Sequence, residues 1–330
     1  MTSFDVAELI SAFSSISLLC RDMCRRFPKD QMIILKSQAV AEKYVADLQN
    51  PDTQGIVKKA LKEFTQILLD VSFLEENQLV EDEFPISDGR ARMTKLMELY
   101  ARPVDLVKKV FGDFSLPMDI LGKDYVECLH WRKGALMYMY CNTLYEQTER
   151  VRDELTQFMQ CLEEGVRHLE SMLAVRLPTN KVQIECQVLT EDTLSLIKQG
   201  LFSDTHVLAL MYAGEMCYWH HTLLKQKKQK EAATLSVMTG GLNHASQEDI
   251  SSITKSASSL DIAGDDVWQA RHPGNRHSIH VCEGMLLFDS KAVGKRMLQR
   301  YVEVVKGPLR FVGWDCARAE ELLRLLDAQG

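Results

Sequence analysis

Apolar residues recur at intervals of three and four along nearly the whole chain, a period that suits packed helices and almost nothing else. From 3 to 26 the stripe runs through Phe4, Ala7, Leu9, Ile10, Phe13, Ile16, Leu19, Cys20 and Met23. Ser3 stands as N-cap, and Pro28 closes the helix after Arg25 and Arg26. Residues 30–48 repeat the pattern, and 54–74 carry it again from Ile56 to Leu74. A turn-rich stretch, "EDEFPISDGR", precedes a shorter helix at about 91–101. Pro103 restarts the chain toward Phe111, and "GDFSLPMD" reads as a loop. Helices are expected from about Asp119 to Tyr145, from 148 to 175, and from Asp204, capped by Ser203, into "LLKQKKQK". Two more follow at 290–305 and 315–328. The expected fold is all-α, an irregular bundle of about nine or ten helices.

Two stretches break the period. "PTNKVQIECQVLT" alternates and suggests a short extended piece, after which Thr190 caps a helix reaching Gln199 and Gly200. From about Glu231 to Gly284, Ser, Thr, Gly, Asp, Asn and His dominate; too little is apolar to bury, so this reads as a long mobile loop with at most a helical turn near 250–260. The division is therefore a main helical domain at 1–226, the loop at 227–284, and C-terminal helices at 285–330 packing back on the main domain. "ALMYMYC" (135–141) echoes "ALMYAGEMCYW" (209–219), but a tetratricopeptide array needs tighter repetition.

Composition narrows the class. A net charge of −7 with 26% charged residues argues against a nucleic-acid binder. Nine scattered cysteines, odd in number and mostly inside apolar helical patterns, fit a reducing compartment better than a disulfide framework. Asp5 and Glu8 stand where a signal peptide needs cations, and no run approaches ~18 uninterrupted apolar residues. A soluble, cytosolic protein is expected.

Catalytic signatures are missing. No G-x-x-x-x-G-K-[ST], G-x-G-x-x-G or H-E-x-x-H occurs. Cys217 and His221 share a helical face at i, i+4, and "HSIHVC" offers His277, His280 and Cys282, so a zinc clasp across the loop is conceivable; a buried thiol and an exposed imidazole without metal is the plainer reading. "ECLHWRKGALMYMYC" (127–141) packs a Trp, a His and two Cys together, yet Cys128 and Cys141 lack the setting that activates a thiol. Eight successive apolar or small residues from Gly134 to Cys141 imply a core helix instead, with Gly134 and Ala135 admitting a close neighbour and Glu127, His130 and Lys133 as its one polar ridge. The four Lys of "KQKKQK" suit a solvated helix end. "FLEENQLVEDEF" (73–84) holds five acids among large hydrophobes, which makes either a surface for a basic, apolar partner or an ordinary helix end and loop.

Four blocks carry a family resemblance: "FTQILLDVSFLEENQLVEDEFP" (64–85), "LGKDYVECLHWRKGALMYMYC" (121–141), "GLFSDTHVLALMYAGEMCYW" (200–219) and "RYVEVVKGPL" (300–309). Together they resemble the Rab-interacting subunit of the Mon–Ccz complex, the exchange factor for the late-endosomal GTPase Rab-seven. The similarity covers about 55–225 and 290–310, and matches poorly over the first fifty residues and the 225–285 loop. It implies a non-enzymatic adaptor that binds the GDP form of the Rab and its Mon–Ccz exchange complex. It further implies control of Rab stability and localisation in autophagy of damaged mitochondria (mitophagy). The protein would then be cytosolic, recruited through partners to late endosomes or damaged mitochondria. The resemblance brings no catalytic, cofactor or metal residues. Alternatives are a helical interaction scaffold unrelated to Rab GTPases, or a zinc-stapled helical module. The expected partner interface comprises Glu75, Glu76, Glu81, Asp82 and Phe84, with Arg132 and Lys133.

Overall fold

A computed structural model describes residues 3–50, 55–176, 202–240 and 288–328, with Ser195 and Gln199. The helices among them are α1 (Ser3–Arg26), α2 (Gln31–Leu48), α3 (Val57–Glu81), α4 (Gly89–Phe111), α5 (Pro117–Ile120) and α6 (Lys123–Glu146). α7 (Thr148–Asp153), α8 (Leu155–Ala174), α9 (Asp204–Gly240), α10 (Ser290–Lys306) and α11 (Ala317–Ala328) complete the set. The described residues hold no strand, and the chain is all-α. The extended piece at 178–190, the helix after Thr190, the turn near 250–260 and His277, His280 and Cys282 lie outside the described residues.

Where boundaries differ from the sequence reading, packing decides. α4 runs straight through Pro103, expected as a restart. An internal proline costs roughly 3 kcal/mol, and here buried Tyr100, Leu106 and Val107 on either side hold the helix against the core. α3 extends beyond 74 to Glu81 because Leu79 is buried as firmly as the residues before it. α6 starts at Lys123, since Gly122 at φ +96° separates it from the short α5 that replaces part of the expected loop. The helix expected over 148–175 is two, divided at Glu154 (φ −113°, ψ 24°), a bend that no proline or glycine announces. α9 continues past Lys230 to Gly240, through a stretch with no internal helix breaker.

The chain divides into two compact units, Met1–His221 with Ser290–Gly330, and Thr222–Asp289. In the second, the described residues are the rest of α9, Phe288 and Asp289. In the first, the α1–α2 hairpin packs on α3 and α4, these pack on α6, and α6 makes its broadest contact with α8. α9 passes α8 where Gly165 admits the Met216 side chain, and meets α10 where Gly214 faces Leu298.

Gly134 is the clearest close approach, as its spacing in the sequence implies. A Cβ there would lie 2.5 Å from Leu169 Cδ2 and 3.3 Å from the Leu169 backbone nitrogen. Gly134→Val should therefore cost about 1–3 kcal/mol, read by urea unfolding, because α8 would have to move. An unchanged midpoint would mean that α6 and α8 are not in such close contact.

Candidate partner-binding surface

Three helices present matching faces around one cleft. Leu19, Met23 and Arg26 follow i, i+4, i+7 on α1; Glu75 and Gln78 follow i, i+3 on α3, with Asp82 at i+7 capping its C-terminal end; Arg92, Leu96 and Leu99 follow i, i+4, i+7 on α4. With Val71, Ser72, Asp88 and Lys95 they enclose a cavity of about 420 Å³. Its floor is apolar, from Leu19, Met23, Val71, Leu96 and Leu99, and its wall carries three acids and three cations. That volume is of the size that takes a small molecule or a partner's anchoring side chain.

Glu75 organises the wall. Its Oε1 accepts from Arg92 Nε at 2.8 Å, and its Oε2 meets the Arg26 guanidinium. Arg92 also donates from Nη1 to Asp82 Oδ2 at 3.2 Å, while Gln78 Nε2 donates to Asp82 Oδ1 at 2.7 Å. Four of these six charges, on Arg26, Glu75, Asp82 and Arg92, are thus held by one another, with Glu75 and Arg92 largely withdrawn from solvent.

The turn that follows is strained and anchored. Glu83 and Phe84 both adopt left-handed backbone, at φ 53° and φ 51°, which costs side-chain-bearing residues about 1–2 kcal/mol each. Phe84 offsets this by burying its ring, 1% exposed, edge-on to Tyr140 at 5.4 Å. Its amide donates to Leu79 O at 3.1 Å, and its carbonyl accepts from Arg150 Nη1 at 3.3 Å. Gly89 packs against the Phe84 backbone, where a Cβ would sit 2.6 Å from the carbonyl carbon.

The seven residues expected at the interface separate into distinct environments. Glu75 and Asp82 line the cleft. Glu81 is exposed beside it. Phe84 lies beneath, with no ring surface to offer. Glu76 and Arg132 sit in an inner network: Arg132 Nε donates to Glu76 Oε2 at 2.5 Å, and Tyr100 Oη donates to the same oxygen at 2.7 Å while accepting from Arg132 Nη2 at 3.0 Å. Arg132 also lies 5.1 Å from the Phe73 ring centre. Lys133 stands with His130 and His168, and burial pulls its pKa down. Arg26, Arg92, Lys95 and Tyr100, which complete the cleft and the network, come from other helices, so no local signal in the sequence joins them to the acidic stretch.

On the polar ridge of α6, Glu127 is ion-paired and His130 and Lys133 are partly buried. Glu127 pairs with Arg176, and its other oxygen lies 3.5 Å from His206 Nε2. Ser203 donates its amide to His206 Nδ1 at 3.1 Å, which leaves the proton of a neutral imidazole on Nε2. His130 Nδ1 faces His168 Nδ1 at 3.4 Å, one ring donating to the other. Trp131 is half-buried and begins a column of rings: Tyr212 at 6.0 Å, Tyr138 a further 3.7 Å, then Trp219 and Tyr145. Tyr138 donates to Glu215, which also binds Arg318. These contacts tie α6, α9 and α11 together.

Neither cysteine of α6 is set up as a nucleophile. Burial pushes Cys128 and Cys141 upward, away from thiolate, and the described cysteines are unbridged. The described residues contain no group of three or more side chains placed to hold a metal. No described helix is long and apolar enough to cross a membrane.

Comparison with known proteins decides the family. The family described as "RAB7A-interacting MON1-CCZ1 complex subunit 1" matches residues 33–260. The chain belongs to this family. Relatives carrying that same description are 29% identical in Danio rerio (90% of this chain, 89% of the relative) and 30% identical in Mus musculus (89% and 87%). A third, in Homo sapiens, is 28% identical over 89% of this chain and 87% of its own length. The match reaches further than the blocks at 55–225, taking in most of α2 and residues to 260. No solved structure matches the chain.

Proposed function

We propose that this protein is a non-catalytic helical adaptor that binds a late-endosomal Rab GTPase in its GDP form together with the Mon–Ccz exchange complex. In this reading it governs the stability and placement of the Rab during autophagy of damaged mitochondria, working from the cytosol and recruited through its partners. Family membership carries the reading, since the relatives are named as RAB7A-interacting subunits of the MON1-CCZ1 complex. The cleft between α1, α3 and α4 is the docking place we assign to a partner. It combines an apolar floor with a prearranged charged wall; exposed Lys95 lines it, and exposed Glu81 precedes its Asp82 in the chain. A stack of uniform helix pairs would have favoured the unrelated scaffold, but the helices range from 4 to 37 residues.

Pull-down with GDP-locked and GTP-locked Rab proteins and with the exchange subunits tests this. Preferential recovery of the GDP-locked late-endosomal Rab is expected. Glu81→Lys or Lys95→Glu should each lower recovery about tenfold without moving the melting temperature, as both side chains are exposed. Background recovery of every Rab and of the exchange subunits would overturn the adaptor reading. Full recovery with both variants would overturn only the choice of cleft.

A further inference from the structure

The corner where α1 turns into α2 exposes apolar and basic side chains together. A tight turn joins the helices, with Phe27 N donating to Met23 O at 2.8 Å and Asp30 N to Phe27 O at 3.2 Å. Just beyond it Met32 is 84% exposed, Leu35 52% and Ile33 51%. Met32, Leu35, Lys36, Ala39 and Lys43 repeat at i, i+3, i+4, i+7 and i+11, so they form one outward stripe. The opposite face of α2, with Ile34, Ser37, Ala41 and Tyr44, is buried.

Charge at this corner departs from the rest of the chain. Residues 21–43 hold six cations against three acids, in a protein whose net charge is −7. Arg21 is tied to Glu42 and Arg25 to Asp22, whereas Lys29, Lys36 and Lys43 pair with no carboxylate among the described residues.

We propose that the α1–α2 corner rests on an anionic phospholipid surface. Met32, Ile33 and Leu35 enter the headgroup layer, and Lys29, Lys36 and Lys43 face the lipid phosphates. An apolar strip with lysines on either side is what a peripheral membrane contact requires, and each surface lysine adds electrostatic attraction. A second copy fits worse, because a two-fold contact through this face brings Lys36 and Lys43 toward their own counterparts. A protein partner would need a hollow for a methionine that keeps most of its surface free, whereas a lipid layer yields around it. The inference does not rest on the adaptor reading, since it needs no protein partner.

Co-sedimentation of the full chain with vesicles tests it: phosphatidylcholine alone, and phosphatidylcholine with roughly a third phosphatidylserine. Binding is expected to the anionic vesicles only and to weaken as salt is raised. Each of Lys29→Gln, Lys36→Gln and Lys43→Gln should reduce partitioning roughly fivefold. Met32→Glu with Leu35→Glu should abolish it, while thermal unfolding of every variant stays at the wild-type temperature. A chain that remains in the supernatant with anionic vesicles overturns the proposal, as does equal binding to neutral ones or variants that bind like wild type. If vesicles fail but the same variants lose Rab or exchange-complex recovery, the corner is a protein interface and the lipid assignment falls.

Discussion

Arg132→Met lowers unfolding stability by about 3–5 kcal/mol. Arg132 and Glu76 retain only 13% and 15% of their side-chain surface, and they share one carboxylate oxygen with Tyr100. Removing the guanidinium leaves the Glu76 carboxylate desolvated with one hydroxyl donor, and it takes away the cation over the Phe73 and Tyr100 rings. The loss is largely the cost of the orphaned charge rather than the value of the pair. Glu76→Met in the same chain should therefore return most of it, and a double-mutant cycle by urea unfolding separates the two contributions. If Arg132→Met is near neutral, the network is hydrated and Arg132 is free to meet a partner after all.

That network also shows what could be read from the sequence and what could not. The helical period located α1, α2 and the core character of α6, and Gly134 announced its close neighbour. Four blocks of wording were enough to point to the family. The break at Glu154 and the unbroken helix through Pro103 escaped, because neither depends on local preference; in both, contacts with distant helices set the backbone. Only composition marks the expected interface residues. "FLEENQLVEDEF" is rich in acids, but which of them face solvent depends on Arg26, Arg92, Tyr100 and Arg132, none of which lies within the stretch. Phe84 shows the same limit: its burial follows from two consecutive left-handed residues that no pattern of hydrophobicity encodes.

Acidification from pH 7 to pH 5 should lower the melting temperature and the unfolding free energy, the latter by on the order of 3–5 kcal/mol. Burial lowers His130 to about 4 and His168 to about 3, with Lys133 opposing protonation of both and Asp105 the acid nearest that lysine in effect. Burial likewise lowers His206 to about 4, with Arg176 adding to it. An unfolded histidine titrates near 6.5, so between that value and about 4 the unfolded chain binds more protons than the folded one. Stability is then full above pH 6.5 and is lost as the pH falls through 6.5 toward the folded values. Glu127 and Glu164 work the other way, because burial raises their carboxyl groups and acid relieves that cost, so they take back part of the loss. The experiment is thermal unfolding of the wild type and of His130→Asn with His168→Asn across this range. The double variant keeps a hydrogen-bonding pair but cannot titrate, so its dependence on pH should be shallower by more than half. Equal slopes would mean that the facing imidazoles are solvated in the folded chain and that another group carries the acid sensitivity.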